Sequence, residues 1–263
     1  MDTRPTAVAG MFYPGDAASL SAQVAGYLQT AHPDARRKPP KALIAPHAGY
    51  IYSGPIAASA YALLAGCRGV VKRVVLAGPA HRVYVDGAAV PVASAFATPF
   101  GTVPVDRETV ARLLELPFVE ASDAAHALEH SLEVHLPFLQ SVLGEFSLVP
   151  IVVGDAGPRE MAELFEVAWG GDETLVVVSS DLSHYLPYEA ARERDRGTVD
   201  SILALEARID PEEACGARPI NGLLTLARRR SMAIELLDLR NSGDTAGDRD
   251  RVVGYASFAV YEK

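Results

Sequence analysis

The chain has 263 residues, 49% hydrophobic and 22% charged, with 33 acidic against 24 basic side chains and a net charge of −9. That composition excludes intrinsic disorder and fibrous repeats, and the acidic balance offers no general attraction to nucleic acid or an anionic membrane. Only Cys67 and Cys215 are present, the opening segment lacks the basic start and apolar run of a signal peptide, and no apolar stretch reaches the ~20 residues of a membrane helix, so a cytoplasmic protein is expected.

Helical spacing of Leu20, Val24 and Leu28 predicts a helix over 17–30, followed by a polar connector made of His32, Pro33, Asp34 and the run 36–41. Short apolar runs at 42–45 and 72–77 read as buried strands, with a small-residue helix over 54–64 between them. Such a unit implies parallel strands with helices covering the sheet. Next come a strand over 88–92, a helix over 106–116 begun by a capping Asp106, and a helical pattern over 121–143 broken or kinked at Pro137. A strand over 148–153, a helix over 158–169 and the most strand-like run, 174–178, complete the central part. The remainder reads as a helical region to about 208, a short one near 211, a helix over 222–230, and strands over 234–239 and 251–261 around a turn-rich loop at 241–250. The expected fold is α/β: one three-layer domain over 1–263 with a mostly parallel or mixed central sheet flanked by helices.

Ligands of such sheets sit at the carboxyl ends of the strands, and His47, His81, Asp181 and His184 each follow a predicted buried strand. On neighbouring strands, or strands one apart, His47 and His81 can reach one ion. Two imidazoles favour zinc, iron or copper over magnesium or calcium, although a single strand-end histidine is more often a structural or surface residue. Asp181 and His184 can pair so that the carboxylate orients the ring as acid, base or ligand, or Asp181 can merely cap the next helix. His126, His130 and Glu133 share one face of the predicted helix, a spacing that amphipathic helices also show routinely. His130, Glu133 and His135 are therefore expected as buried residues supporting the ligands. Cys67 and Cys215 lack metal-type spacing and read as structural or incidental.

PHAGYIYSG at 46–54, GPAH at 78–81, EHSLEVHLPF at 129–138, SSDLSHY at 179–185, CGARPI at 215–220 and the terminal VVGYASFAV, with AGMFYP near the start, resemble the Memo family in order and spacing. Its bacterial and archaeal members are called protein B of the AmmeMemoRadiSam system, and its fold is similar to class III extradiol dioxygenases, which use non-haem iron. The resemblance implies His47 and His81 as metal ligands, with Asp181 and His184 beside them as the catalytic pair. The animal member has a third, cysteine ligand in the loop before the last strand. Here that position falls at or beside Thr245, a poor substitute for a thiolate. If Asp244 turns inward, His47, His81 and Asp244 form a two-histidine, one-carboxylate set suited to ferrous iron; Asp244 also fits a solvated turn. The expected function is a metal-binding protein with a dioxygenase-like pocket, iron the leading ion and copper or zinc also suitable, acting on an unidentified small molecule or peptide. Two other functions stay open: a non-catalytic module binding a peptide or the AMMECR-type and radical S-adenosylmethionine proteins, and a zinc-dependent hydrolase.

Overall fold

The computed structural model describes residues 2–31 and 39–262. The expected connector falls outside them over 32–38. Its far end, Lys41, is buried, and the ammonium donates to the carbonyls of Trp169, Gly171 and Thr174 at 2.8, 2.6 and 2.7 Å, tying the start of one strand to the start of another.

The strands in chain order are β1 (Thr3–Arg4), β2 (Ala42–Ala45), β3 (Arg73–Pro79), β4 (Ala88–Val90), β5 (Ala95–Thr98), β6 (Gly101–Pro104), β7 (Val119–Ala121), β8 (Ser147–Val153), β9 (Thr174–Ser179), β10 (His184–Leu186), β11 (Ala233–Asn241) and β12 (Val252–Tyr261). The α-helices are α1 (Ala17–Thr30), α2 (Tyr50–Tyr61), α3 (Arg107–Leu113), α4 (Asp123–Ala127), α5 (Leu136–Leu143), α6 (Pro158–Ala168), α7 (Tyr188–Leu203) and α8 (Ala217–Arg229). The main sheet runs β10-β12-β2-β9-β3-β8-β4-β7, with β11 also paired to β12, and a small sheet runs β1-β5-β6. Its centre, β2-β9-β3-β8, is parallel, while β12 and β4 join antiparallel, so the sheet is mixed.

The central strands are buried almost throughout, as expected of apolar runs covered on both faces. The crossover from β2 to β3 and that from β8 to β9 run in opposite directions along the sheet, so the right-handed rule places α2 and α6 on opposite faces. The packing agrees: α2 lies on β2, β11 and β12 with α1 and α5 against it, whereas α6 packs on α8, which lies on β3 and β9. A single buried cluster runs from Val8 to Val260.

This order puts β9 between β2 and β3, with Ala45 level with Ser179 and Ala77 level with Val178. The segments after the three strands, carrying His47, Asp181 and His81, emerge side by side at one end of the sheet.

Three expectations need correction. The helical pattern over 121–143 is broken, with α4 ending at Ala127, a 3₁₀ turn at Glu133–His135 and α5 following. Between them the Glu129 carboxylate accepts the backbone N–H groups of His130 and Ser131, an alternative to helical bonding. The helical region after Ser183 opens instead as β10, and only 188–203 is helix. The segment near 211 is a turn, and α8 starts at Ala217, five residues ahead of its expected start.

His126 therefore shares no helical face with His130. Its Nε2 lies 3.1 Å from the Ala89 carbonyl under the edge of Phe96, and burial lowers its pKa to about 4. Burial likewise lowers His135 to about 3. The unfolded chain takes up these protons near the ordinary histidine value, the folded chain only well below it, so stability is lost as pH falls from about 6.5. For His126 alone the loss amounts to about 3 kcal/mol by pH 4, at roughly 1.4 kcal/mol per pKa unit. Urea midpoints should fall more steeply with acid in the parent than in His126→Gln, and parallel slopes would refute the assignment.

Candidate metal centre

His47, His81 and His130 meet where β2 and β3 end. Among the described residues they form the one group of three metal-type side chains whose ligand atoms all lie within 4.8 Å of one another. Ring centroids stand 5.2 Å apart for His47 and His81, 5.5 Å for His47 and His130, and 4.8 Å for His81 and His130.

Hydrogen bonds assign the ring nitrogens of two of these residues. The Ser179 hydroxyl donates to the Ser131 carbonyl at 2.6 Å, and its oxygen lies 2.6 Å from His47 Nδ1 and 2.8 Å from His135 Nε2. Its proton being used, Ser179 accepts from both rings. His135 is completed by the Tyr61 hydroxyl, which donates to Nδ1 at 2.7 Å. His47 thus carries its proton on Nδ1 and leaves Nε2 bare. Burial, reinforced by the neighbouring histidines, holds its pKa well below the ordinary value, so the ring is neutral.

His81 is fixed in the same sense by Glu129. Its Nδ1 donates to Oε1 at 2.9 Å and its backbone N–H to Oε2 at 2.6 Å. Burial alone would raise the Glu129 carboxyl, but the bond and charge of His81 and the Ser131 N–H outweigh it and bring the pKa down to about 2. A carboxylate bonded to one imidazole nitrogen leaves the other free and more basic, the usual support of a metal-bound histidine. His130 Nδ1 is buried without a hydrogen-bond partner, and burial lowers this ring to about 4. The bare Nε2 of His47, the neutral rings of His47 and His130, and a buried His130 Nδ1 that makes no hydrogen bond, with the Glu129 carboxylate 3.4 Å away, fit a metal ion. Ser179→Ala should free the His47 ring and weaken ion affinity about 10- to 100-fold, as competition against a chelator would read; unchanged affinity would remove Ser179 from the site's support.

Asp181 is buried beside this group, and its Oδ1 accepts the His47 backbone N–H at 2.8 Å. Burial raises its carboxyl to about 6 against the N–H groups of His47 and Ala48. His184 is exposed and shares with Asp181 and His130 a cavity of about 690 Å³, walled by Phe12, Tyr13, Tyr52 and Tyr255. Tyr185, at its mouth, holds a left-handed φ of 59°, uncommon for a side chain of this size. A larger cavity of about 820 Å³, lined by Lys72 and Ser147 at the opposite ends of β3 and β8, holds none of these groups.

Asp244 does not join the histidines. Its Oδ2 accepts the Asn241 N–H at 3.0 Å and its Oδ1 the Tyr188 hydroxyl at 2.5 Å, so it caps the short 3₁₀ turn Ser242–Asp244. Thr245 donates its hydroxyl to the Ser242 carbonyl at 3.2 Å in the same turn. Glu133 is held by Arg4, Tyr13 and the N–H groups of Ala7 and Val8, with no histidine among its partners. His135 touches the site through Ser179 alone.

Sequence reasoning passed over Glu129, Ser179 and Cys215. An acidic residue directly before His130 was the available signal for the first. Cys215 Sγ lies 3.4 Å from the bare His47 Nε2 and accepts the Asp181 N–H at 3.3 Å. Burial, with the Asp181 charge beside it, pushes its thiol well up, so Cys215 is protonated at neutral pH, with His47 Nε2 at 3.4 Å and the Asp181 carbonyl at 3.7 Å as the acceptors in reach of its S–H.

The family model for Memo-like proteins matches residues 4–259. The chain belongs to the Memo family. It is 38% identical to a MEMO1 family protein of Ignicoccus hospitalis, covering 98% of each chain. Those of Sulfolobus acidocaldarius and Aquifex aeolicus are each 36% identical, over 97% of this chain and 98% of theirs. The crystal structure of an uncharacterized Escherichia coli K12 protein superposes with a TM-score of 0.52 over 82% of this chain and 98% of that one. At 14% identity that likeness speaks to the fold alone. No helix among the described residues is long and apolar enough to cross a membrane.

Proposed function

We propose that this Memo-family protein binds one first-row transition ion on His47, His81 and His130 and acts on a small molecule held in the adjoining cavity. The carrying observation is the convergence of three imidazoles, two of them with the far nitrogen already bonded, beside a cavity of about 690 Å³. Three imidazoles suit ferrous iron, copper or zinc. The resemblance to extradiol dioxygenases favours iron. The ion would supply Lewis acidity and, for iron or copper, electron-transfer chemistry. Around it, Ser179 and Glu129 orient two rings, four aromatic side chains wall the cavity, and His184 stands where it can carry protons between cavity and solvent.

Equilibrium dialysis of metal-stripped protein against ferrous, cupric and zinc salts, followed by elemental analysis, tests this. One ion per chain is expected, and a site that stays empty with all three would overturn it. A second reading, a binding module, draws on the exposed Met11, Ile51 and Tyr185 around the cavity mouth. Tight association with an AMMECR-type or radical S-adenosylmethionine protein by metal-free protein would favour it.

A further inference from the structure

A third cavity, of about 390 Å³, lies between α7 and the C-terminal end of β11 and shares no lining residue with the cavity beside the histidines. Three arginines, Arg192, Arg196 and Arg240, border it in a chain whose net charge is −9. Arg192 pairs with the exposed Glu189 at 3.2 Å, and Arg240 pairs with Asp238. Arg196 has no hydrogen bond or ion pair among the described residues.

Two other side chains of this cavity, Asp195 and Asn241, are each only 2% exposed. Asp195 Oδ1 accepts the Ser183 N–H at 3.0 Å, and Oδ2 has no hydrogen bond among the described residues. The carboxylate rests on Gly254 of β12, where a Cβ would stand 1.9 Å from Oδ2, so the glycine provides its room. Asn241 Oδ1 accepts the Gly243 N–H at 2.9 Å, and its Nδ2 likewise has no partner among the described residues. Unpaired polar atoms on buried side chains are costly, and here an acceptor and a donor of that kind line one cavity. The other carboxylate there, Asp244, is spent on Asn241 and Tyr188.

Asp195 also lacks an ion pair among the described residues. Burial pushes its carboxyl up, against the hydrogen bonding of Ser183 and the charges of His184 and Arg194. A carboxylate buried in this way calls for a positively charged donor, while the arginines call for an anionic group that a guanidinium can grip. We propose that this cavity binds a small α-amino acid, its carboxylate on Arg196, Arg192 and the Asn241 amide and its ammonium on Asp195 Oδ2. A zwitterion meets both demands. A simple anion leaves Asp195 beside like charge, and a simple amine leaves the arginines unfilled. The volume lies toward the small end of the ~300–1,000 Å³ usual for ligand cavities. Ser183 stands between Asp181 and His184, so the carboxylate that takes the ammonium also holds the segment facing the histidines.

Isothermal calorimetry on the metal-stripped full chain tests this apart from the histidine site, with L-alanine, propionate and ethylammonium offering one carbon skeleton in three charge patterns. L-Alanine should bind saturably, and propionate and ethylammonium should each bind at least about 10-fold more weakly. Arg196→Gln should weaken L-alanine and propionate alike, by about 10-fold. Asp195→Asn should bring L-alanine down to the affinity of propionate and leave propionate unchanged. Should Asp195→Asn fold poorly, Arg196→Gln decides, because Arg196 is exposed. No saturable binding of L-alanine, binding no tighter than that of propionate or ethylammonium, or an affinity unchanged in Arg196→Gln overturns the proposal.

Discussion

Glu133→Ala should cost about 3 to 5 kcal/mol of unfolding free energy, the penalty for stranding one member of a buried ion pair. The side chains of Arg4 and Glu133 are almost wholly buried, and among the described residues Arg4 has no other carboxylate partner; its remaining bonds go to the carbonyls of His126 and Glu129. The same carboxylate receives the Tyr13 hydroxyl at 2.5 Å and the N–H groups of Ala7 and Val8 at 2.7 and 3.0 Å. One side chain thus fastens the segment from Arg4 to Tyr13 onto the turn that carries His130. Because Met11, Phe12 and Tyr13 wall the cavity, the variant should also expose the site, and proteolysis near the N-terminus should accelerate. Urea unfolding reads the first effect. A loss below about 1 kcal/mol, the range of an exposed pair, would contradict the buried network.

His47→Ala and His81→Ala should each abolish ion binding at concentrations that saturate the parent. Each removes one of only three imidazole nitrogens that converge here, on a ring that Ser179 or Glu129 holds in place. Asp244→Ala should leave affinity unchanged, since its carboxylate is spent on Asn241 and Tyr188. Titration against a colorimetric chelator checks all three. Retained binding in His47→Ala would move the site elsewhere, and lost binding in Asp244→Ala would bring the loop back into it.

Residues fixed by local pattern were legible in the sequence. The buried strands announced themselves as apolar runs, and a histidine just beyond two of them marked the end of the sheet where ligands collect. The interposed β9 was allowed for only as an alternative, yet it brings Ser179 and Asp181 between the two histidines. His130 was misplaced because periodicity over 121–143 reads as continuous helix, while the Glu129 carboxylate captures the N–H groups that such a helix would need. Asp244 stayed ambiguous for the opposite reason: of its two readings the structure shows the local one, a cap on one turn, and spacing alone cannot tell a capping aspartate from one that turns inward. Cys215 was illegible because its approach to His47 depends on the contact of Gly216 with β9, a tertiary fact.

The most direct test is a crystal of protein loaded anaerobically with ferrous iron, with anomalous differences collected on both sides of the iron edge. The predicted result is one peak per chain bounded by His47, His81 and His130. A peak beside Asp244, or none at the ends of β2 and β3, would contradict the account.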